Sequence, residues 1–122
     1  METFDKIAYR AELKTRLRRF SLNLIKLSQH TPFNNESKVL INQLLRSGTS
    51  VYANYRASCR ARSKAEFFSK LSIVVEEADE TEMWLDLVIE SKVNDSVLAK
   101  ELWAESLEIL KIMAKARKSA NP

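Results

Sequence analysis

The chain is almost free of the residues that interrupt helices. Its 122 residues contain one glycine, Gly48, and two prolines, Pro32 and Pro122. Glycine and proline are the least favourable residues inside a helix, and tight β-turns depend on them, so their scarcity favours long helices. Leu, Ala, Glu, Lys and Arg, which have the highest helix propensities, are abundant. The sequence therefore predicts an all-α fold.

The spacing of apolar residues predicts four helices, at about 5–28, 35–59, 64–91 and 95–118. In each of them, apolar positions recur every three or four residues, as one buried stripe of an α-helix requires. The predicted buried positions are Leu13, Leu17, Phe20, Leu24 and Leu27; Ile41, Leu44, Gly48, Val51 and Tyr55; Phe67, Leu71, Val74, Ala78, Thr81, Leu85 and Val88; and Leu98, Leu102, Trp103, Leu107, Leu110 and Ala114.

Polar residues mark the predicted helix starts. Ser63 and Glu66 match a capping box, in which each side chain satisfies a backbone N–H that the helix leaves unpaired. Asn94 or Asp95 is predicted to cap the fourth helix. Four helices of about 24 residues joined by short loops predict one domain over residues 1–122, an antiparallel up-down-up-down four-helix bundle.

Several classes of function lack their characteristic residues. No apolar run approaches the roughly 18 to 20 residues that span a bilayer, and the first residues do not resemble a signal peptide, so we expect a cytoplasmic protein without membrane contact. Cys59 is the only cysteine, which excludes an intrachain disulfide. His30, the only histidine, lacks the Glu-x-x-His spacing of di-iron bundles. We predict no enzymatic activity, no metal and no cofactor.

Charge is unevenly distributed along the chain. Residues 1–75 carry 14 Lys and Arg against 5 Asp and Glu, residues 76–108 carry 2 against 11, and the last 14 residues carry four basic residues and no acid. In an antiparallel bundle the loop between the second and third helices lies at the same end as the C-terminus. The predicted basic end contains Arg56, Arg60, Arg62, Lys64, Lys115, Arg117 and Lys118.

Two functions fit this distribution. Arginine binds phosphate in a planar, two-pronged way, so the basic end can bind RNA or DNA. Alternatively, the bundle is a scaffold or accessory subunit whose apolar faces and acidic third helix contact a protein partner. Apolar residues outside the predicted stripes either fill the core or form a second face for self-association. These residues are Phe68, Ile73, Trp84, Leu87 and Ile112.

Polar residues on the second and third helices are predicted to be structural. Arg46 should lie level with Glu77 on the antiparallel neighbour, so we expect an ion pair between them. Ser50 and Asn54 are predicted to fix the register of the helices rather than to perform chemistry.

Three segments of the sequence carry a resemblance to a known family. They are residues 46–56 (RSGTSVYANYR), 60–67 (RARSKAEF) and 77–85 (EADETEMWL). They resemble the bacterial four-helix-bundle proteins encoded within intervening sequences of 23S ribosomal RNA genes. The resemblance is close over the second and third helices and extends to the flanking helices in pattern.

The resemblance has implications for assembly and function. It implies an antiparallel bundle that forms a homopentameric barrel, has no enzymatic activity and binds nucleic acid. A distant branch of the family resembles the accessory variability protein of diversity-generating retroelements, which partners a reverse transcriptase and nucleic acid.

Overall fold

The computed structural model describes residues 3–121, and the predicted domain bounds, 1 and 122, lie just outside them. Its helices are α1 (Phe4–Gln29), α2 (Asn35–Cys59), α3 (Lys64–Glu90) and α4 (Val97–Ser119). No strand occurs in the part of the chain described. The all-α prediction is confirmed, and the helices begin and end within two residues of their predicted bounds.

The helices contact one another in a closed cycle. Each packs against its neighbours in the sequence, and α4 returns to contact α1. Within residues 3–121, the backbones of α1 and α3, and those of α2 and α4, do not approach each other within 8 Å between Cα atoms, so these pairs lie on the diagonals of the bundle. Short loops make successive helices antiparallel, and α1 and α3 therefore run in the same direction. The α2–α3 loop lies at the same end as the start of α1 and the end of α4.

Every position predicted to be buried on α1 and α2 is buried, together with Ser21, Ser37, Ser47 and Ser58, and in α3 only Phe67 is half-buried instead of buried. The α4 prediction is wrong except at Leu102. The residues buried on α4 are Ala99, Leu102, Ser106, Ile109 and Met113. Of the other predicted residues, Ala114 is exposed and four are half-buried: Leu98, Trp103, Leu107 and Leu110. The core-facing side of α4 thus includes the small side chains of Ala99 and Ser106, while larger ones such as Trp103 and Leu110 flank it.

The start of α4 also differs from the prediction. Its N-cap is Ser96, whose Oγ accepts a hydrogen bond from the Ala99 amide at 3.2 Å. Asn94 instead forms hydrogen bonds in and between the loops. Its side-chain amide donates to Thr31 Oγ1 at 2.9 Å, and its Oδ1 accepts from the Ser96 amide at 3.1 Å. Asn94 therefore ties the α1–α2 and α3–α4 loops together, which leaves Ser96 to cap the helix.

The predicted capping box of α3 forms only in part. Ser63 Oγ accepts from the Glu66 amide at 3.0 Å, as predicted. Glu66 Oε2, however, accepts from the Arg62 amide at 3.3 Å and not from that of Ser63. A complete box occurs at α2, where Asn34 and Ser37 each accept from the other's amide at 2.9 Å.

Gly48 lies where α2 packs against side chains of both α1 and α3. A Cβ at this position would collide with Cδ1 of Leu24 on α1 and would lie 3.6 Å from Cγ2 of Thr81 on α3. Beside it, Thr81 Oγ1 lies 3.0 Å from Ser47 Oγ and 2.7 Å from the backbone oxygen of Glu77. The missing side chain therefore allows α2 to pack tightly between its two neighbours.

Candidate nucleic-acid interface

An open cleft of about 770 Å³ lies at the end of the bundle where the α2–α3 loop meets the start of α1. Ser119, the last residue of α4, and the two residues after it complete its wall. Basic side chains contribute to it from three places: Lys6 and Arg10 on α1, Arg62 in the loop, and Lys64 at the start of α3. We refer to it as the basic cleft.

The charges in the basic cleft are largely accessible. Lys6, Arg62 and Lys64 are exposed, and Arg10 is half-buried with its guanidinium carbon 5.6 Å from the centre of the Phe67 ring. Arg62 Nε lies 3.8 Å from Glu66 Oε2. Exposed pairs of this kind contribute little free energy, so Glu66 leaves the charge of Arg62 available to an anion.

The other predicted basic residues lie outside the lining of the cleft. Arg117 is held against α3, because its Nε donates to Ser72 Oγ at 2.8 Å and its guanidinium carbon lies 4.7 Å from the Phe68 ring centre. Arg56 lies over the ring of Tyr52, at 5.6 Å. Arg60 follows the last residue of α2, and Lys115 and Lys118 are exposed on the last turns of α4.

The structure thus brings Arg62 and Lys64 together in one cleft. It also places Lys6 and Arg10 there, which were not predicted to belong to the basic end. Lys6 and Arg10 line the cleft because antiparallel packing places the first turns of α1 at this end. That topology was the signal that could have identified them from the sequence. The positive ends of the α1 and α3 helix dipoles also lie here.

The ion pair predicted between Arg46 and Glu77 is not formed. Among the side chains of residues 3–121, ion pairs within 4.0 Å do not include these two. Arg46 is exposed whereas Glu77 is half-buried, and an exposed arginine gains little by giving up its hydration. Asn54 donates to the backbone oxygen and Oγ of Ser50 at 3.0 and 2.9 Å, so both residues interact within α2.

A different ion pair joins α1 to α4. Arg16 donates to both carboxylate oxygens of Glu105, from Nε at 2.9 Å and from a terminal nitrogen at 2.6 Å. The same terminal nitrogen lies 3.0 Å from Glu108 Oε1. Hydrogen bonding to Glu105 raises the pKa of Arg16 well above its ordinary value, although burial opposes this shift. The pair holds the two helices together beside the core.

Glu77 is a half-buried acid of α3 whose ionised form is disfavoured in the folded chain. Burial raises its pKa above the ordinary value of 4.5, and repulsion from Glu80 and Glu76 adds to the rise, while Arg46 acts in the opposite direction. The folded chain therefore binds a proton at Glu77 more tightly than the unfolded chain does. This difference makes the carboxylate unfavourable for folding at neutral pH.

We expect Glu77→Gln to stabilise the protein at about pH 7 by a modest amount, a rise in melting temperature of about 1 to 2 °C. Because the folded-state pKa is raised, this benefit should fade as pH falls below the folded-state pKa towards 4.5, where wild-type Glu77 is itself protonated. Thermal unfolding followed by circular dichroism at several pH values measures it, with Asp86→Asn, at an exposed residue of α3, as control. An identical gain at all pH values would contradict this assignment.

Metal-binding and membrane-spanning features are absent from the described part of the chain. Between residues 3 and 121, no three His, Cys, Asp or Glu side chains are grouped so that they could hold a metal ion. No helix in that range is long and apolar enough to cross a membrane.

Two comparisons with known proteins found relatives of this chain. A family model described as 23S rRNA-intervening sequence protein matches residues 11–115. A crystal structure of a protein of unknown function from the S23 ribosomal protein family of Bacteroides thetaiotaomicron VPI-5482 is 34% identical, with a TM-score of 0.78. The alignment covers 89% of this chain and 97% of that one. No curated protein matches the chain.

Proposed function

The chain belongs to the 23S rRNA-intervening sequence protein family, and we propose that it binds the phosphates of RNA or DNA through the basic cleft. The observation that carries this proposal is the convergence of Lys6, Arg10, Arg62 and Lys64 on one open cleft at the end of the bundle. The proposed role is binding without catalysis, in the cytoplasm.

The physical basis of the proposal is counterion release. Each Lys or Arg that neutralises a phosphate frees a condensed cation, which favours binding at low salt irrespective of base sequence. The acidic residues determine which surface a nucleic acid approaches, because α3 exposes Glu76, Asp79, Asp86 and Glu90 along its length. A polyanion is therefore attracted to the cleft end of the bundle and repelled by the side of α3.

We further propose that several copies form a closed ring, five of them as the family resemblance implies. Four basic residues in one cleft provide few phosphate contacts, and the affinity of one copy for nucleic acid would be modest. A ring that presents several clefts to one nucleic-acid molecule raises the effective affinity without any new kind of contact.

The cleft is tested by removing three of its charges, with Lys6→Gln, Arg62→Gln and Lys64→Gln combined. A matched control removes three exposed charges near the opposite end, with Lys26→Gln, Lys38→Gln and Lys100→Gln. Binding of a labelled RNA stem-loop and a labelled DNA duplex is measured from about 50 to about 200 mM salt. We expect the cleft variant to lose about tenfold or more in affinity, and its slope of log affinity against log salt to fall by about three for each cleft that contacts the nucleic acid.

The control variant should keep most of the affinity and the wild-type slope. Equal losses in the two triple variants would contradict a specific role for the cleft. Failure of the wild-type protein to bind either probe at low salt would overturn the nucleic-acid proposal, and a role as a protein scaffold or accessory subunit would then be favoured.

A further inference from the structure

The outward side of α1 carries a stripe of basic and apolar residues. Arg18, Leu22, Ile25 and Gln29 are separated by four, three and four residues, so they share one side of the helix. All four are exposed, with Leu22 at 49% and Ile25 at 38%. We call these four residues the α1 stripe.

The outward side of α3 carries a stripe with the same spacing and the opposite charge. Its residues are Glu76, Glu80, Met83 and Leu87, and the two apolar ones are each 40% exposed. Met83 and Leu87 are the only large apolar side chains of α3 that are exposed in the described part of the chain. We call these four residues the α3 stripe.

The two stripes lie at the same height on opposite sides of the bundle. A Cβ at Gly48 would meet Leu24 of α1 and Thr81 of α3, so these two residues are nearly level. The two helices run in the same direction. At about 1.5 Å per residue, counting from Leu24 and Thr81 places each member of the α1 stripe within about 2 Å in height of the corresponding member of the α3 stripe.

Neither stripe has a charge partner in its own subunit. Among residues 3–121, none of the ion pairs involves Arg18, Glu76 or Glu80. The acids of the α3 stripe also disfavour the ionisation of the neighbouring Glu77, whose pKa burial, Glu80 and Glu76 raise. A cation placed against the α3 stripe would relieve this repulsion, and the α1 stripe of another copy carries one at the required height.

We infer that the α1 stripe of one copy packs against the α3 stripe of the next copy, with the two bundles side by side and in the same orientation. At this register Arg18 faces Glu76, Ile25 faces Met83, Leu22 lies beside the methylene groups of the half-buried Glu80, and Gln29 lies beside Leu87. The spacing of four, three and four residues is that of a coiled-coil seam, so the helices can pack along their length at a shallow angle. This inference rests on the proposed ring and names the surfaces that would form it.

The contact is head-to-tail, because it joins two different surfaces of the same chain. Each added copy leaves one α1 stripe and one α3 stripe free, so addition continues until the ring closes. Since all copies have the same orientation, all basic clefts lie on the same side of the ring. This arrangement lets one nucleic-acid molecule contact several clefts at once.

Cross-linking tests the contact directly. In a Cys59→Ser background, Ile25→Cys and Met83→Cys combined should give disulfide-linked oligomers on mild oxidation, up to the closed ring. Either cysteine alone should give no cross-linked dimer, because a head-to-tail contact never brings two identical stripes together. Covalent dimers from the Ile25→Cys variant alone would overturn the inference, since they require α1 to pack against α1.

Charge reversal provides an independent measurement. Arg18→Glu should lower the mass found by light scattering from that of the ring toward the 14.1 kDa of one chain, and adding Glu76→Arg should restore the ring. Lys38→Glu, which makes the same charge change at an exposed site on α2, should leave the mass unchanged. A wild-type ring that survives Arg18→Glu overturns the stripe contact alone, whereas a monomeric wild type overturns the proposed ring itself.

Discussion

Replacing Leu24 with alanine is expected to lower the free energy of unfolding by about 2 to 5 kcal/mol. Leu24 has no exposed surface, and its side chain fills the space opposite Gly48 where α1, α2 and α3 approach one another. The substitution removes buried apolar surface and leaves a cavity that closely packed neighbours fill only in part. Denaturant unfolding of wild type and variant measures the loss.

The contact between Leu24 and Gly48 allows a test in which the effect of Gly48→Ala on stability changes sign. In the wild type, Gly48→Ala should destabilise the protein, because the new Cβ collides with Leu24 Cδ1. Overpacking costs about 1 to 3 kcal/mol and replacing a helical glycine with alanine gains about 1 kcal/mol, so we expect a net loss of up to about 2 kcal/mol against the fully buried Leu24. In a Leu24→Ala background the obstacle is absent, so Gly48→Ala should stabilise by about 1 kcal/mol.

A control for this test is Ala53→Gly, at an exposed position of α2. It should cost about 1 kcal/mol in both backgrounds, because it changes only helix propensity. If Gly48→Ala had the same sign with and without Leu24, the close approach of α1 would not be the reason for glycine at this position.

Breaking the link between α1 and α4 should have the next largest effect. Arg16→Gln is expected to lower the free energy of unfolding by about 1.5 to 3 kcal/mol, because it removes a two-pronged pair with Glu105 and a contact with Glu108. These two helices share the sparsest interface of the bundle, so few other contacts compensate. Denaturant unfolding at low and high salt measures the loss, which added salt should reduce.

A double-mutant cycle separates the pair from its surroundings. Glu105→Gln alone should also destabilise, and the Arg16→Gln, Glu105→Gln double variant should lose less than the sum of the single losses, by about 1 kcal/mol or more. Arg19→Gln, at an exposed residue of α1 without an ion pair in the described structure, should change stability little. Strict additivity would contradict the pairing of Arg16 with Glu105.

The core was predictable wherever large aliphatic side chains define it. On α1 and α2 the regular spacing identified every large buried apolar residue, because leucine, isoleucine and valine leave little doubt about the inward face. On α4 the inward face includes Ala99 and Ser106, while the larger Trp103 and Leu110 flank it. Trp103 lies toward α3, where its indole N–H donates to Glu82 Oε2 at 2.8 Å. Hydrophobicity alone favours such large residues, so it shifted the predicted stripe.

The candidate site was predictable to the extent that topology determines it. Antiparallel helices place the α2–α3 loop near the chain segment that follows α4, which correctly groups Arg62 and Lys64 with that segment. The same reasoning gives the height of a residue but not the direction in which it points around its helix. Arg46 and Glu77 were therefore paired wrongly, and the bond between Arg16 and Glu105 was not foreseen.

The position of Thr3 and Asn121, the first and last residues that the structure describes, has a practical consequence for experiments on this protein. Any polypeptide fused before Thr3 or after Asn121 emerges beside Lys6 and Ser119, which line the basic cleft. An affinity tag or fluorescent protein attached there can shield the surface whose ligands are being sought. A reporter inserted into the loop between α1 and α2 would emerge at the far end and leave the cleft uncovered.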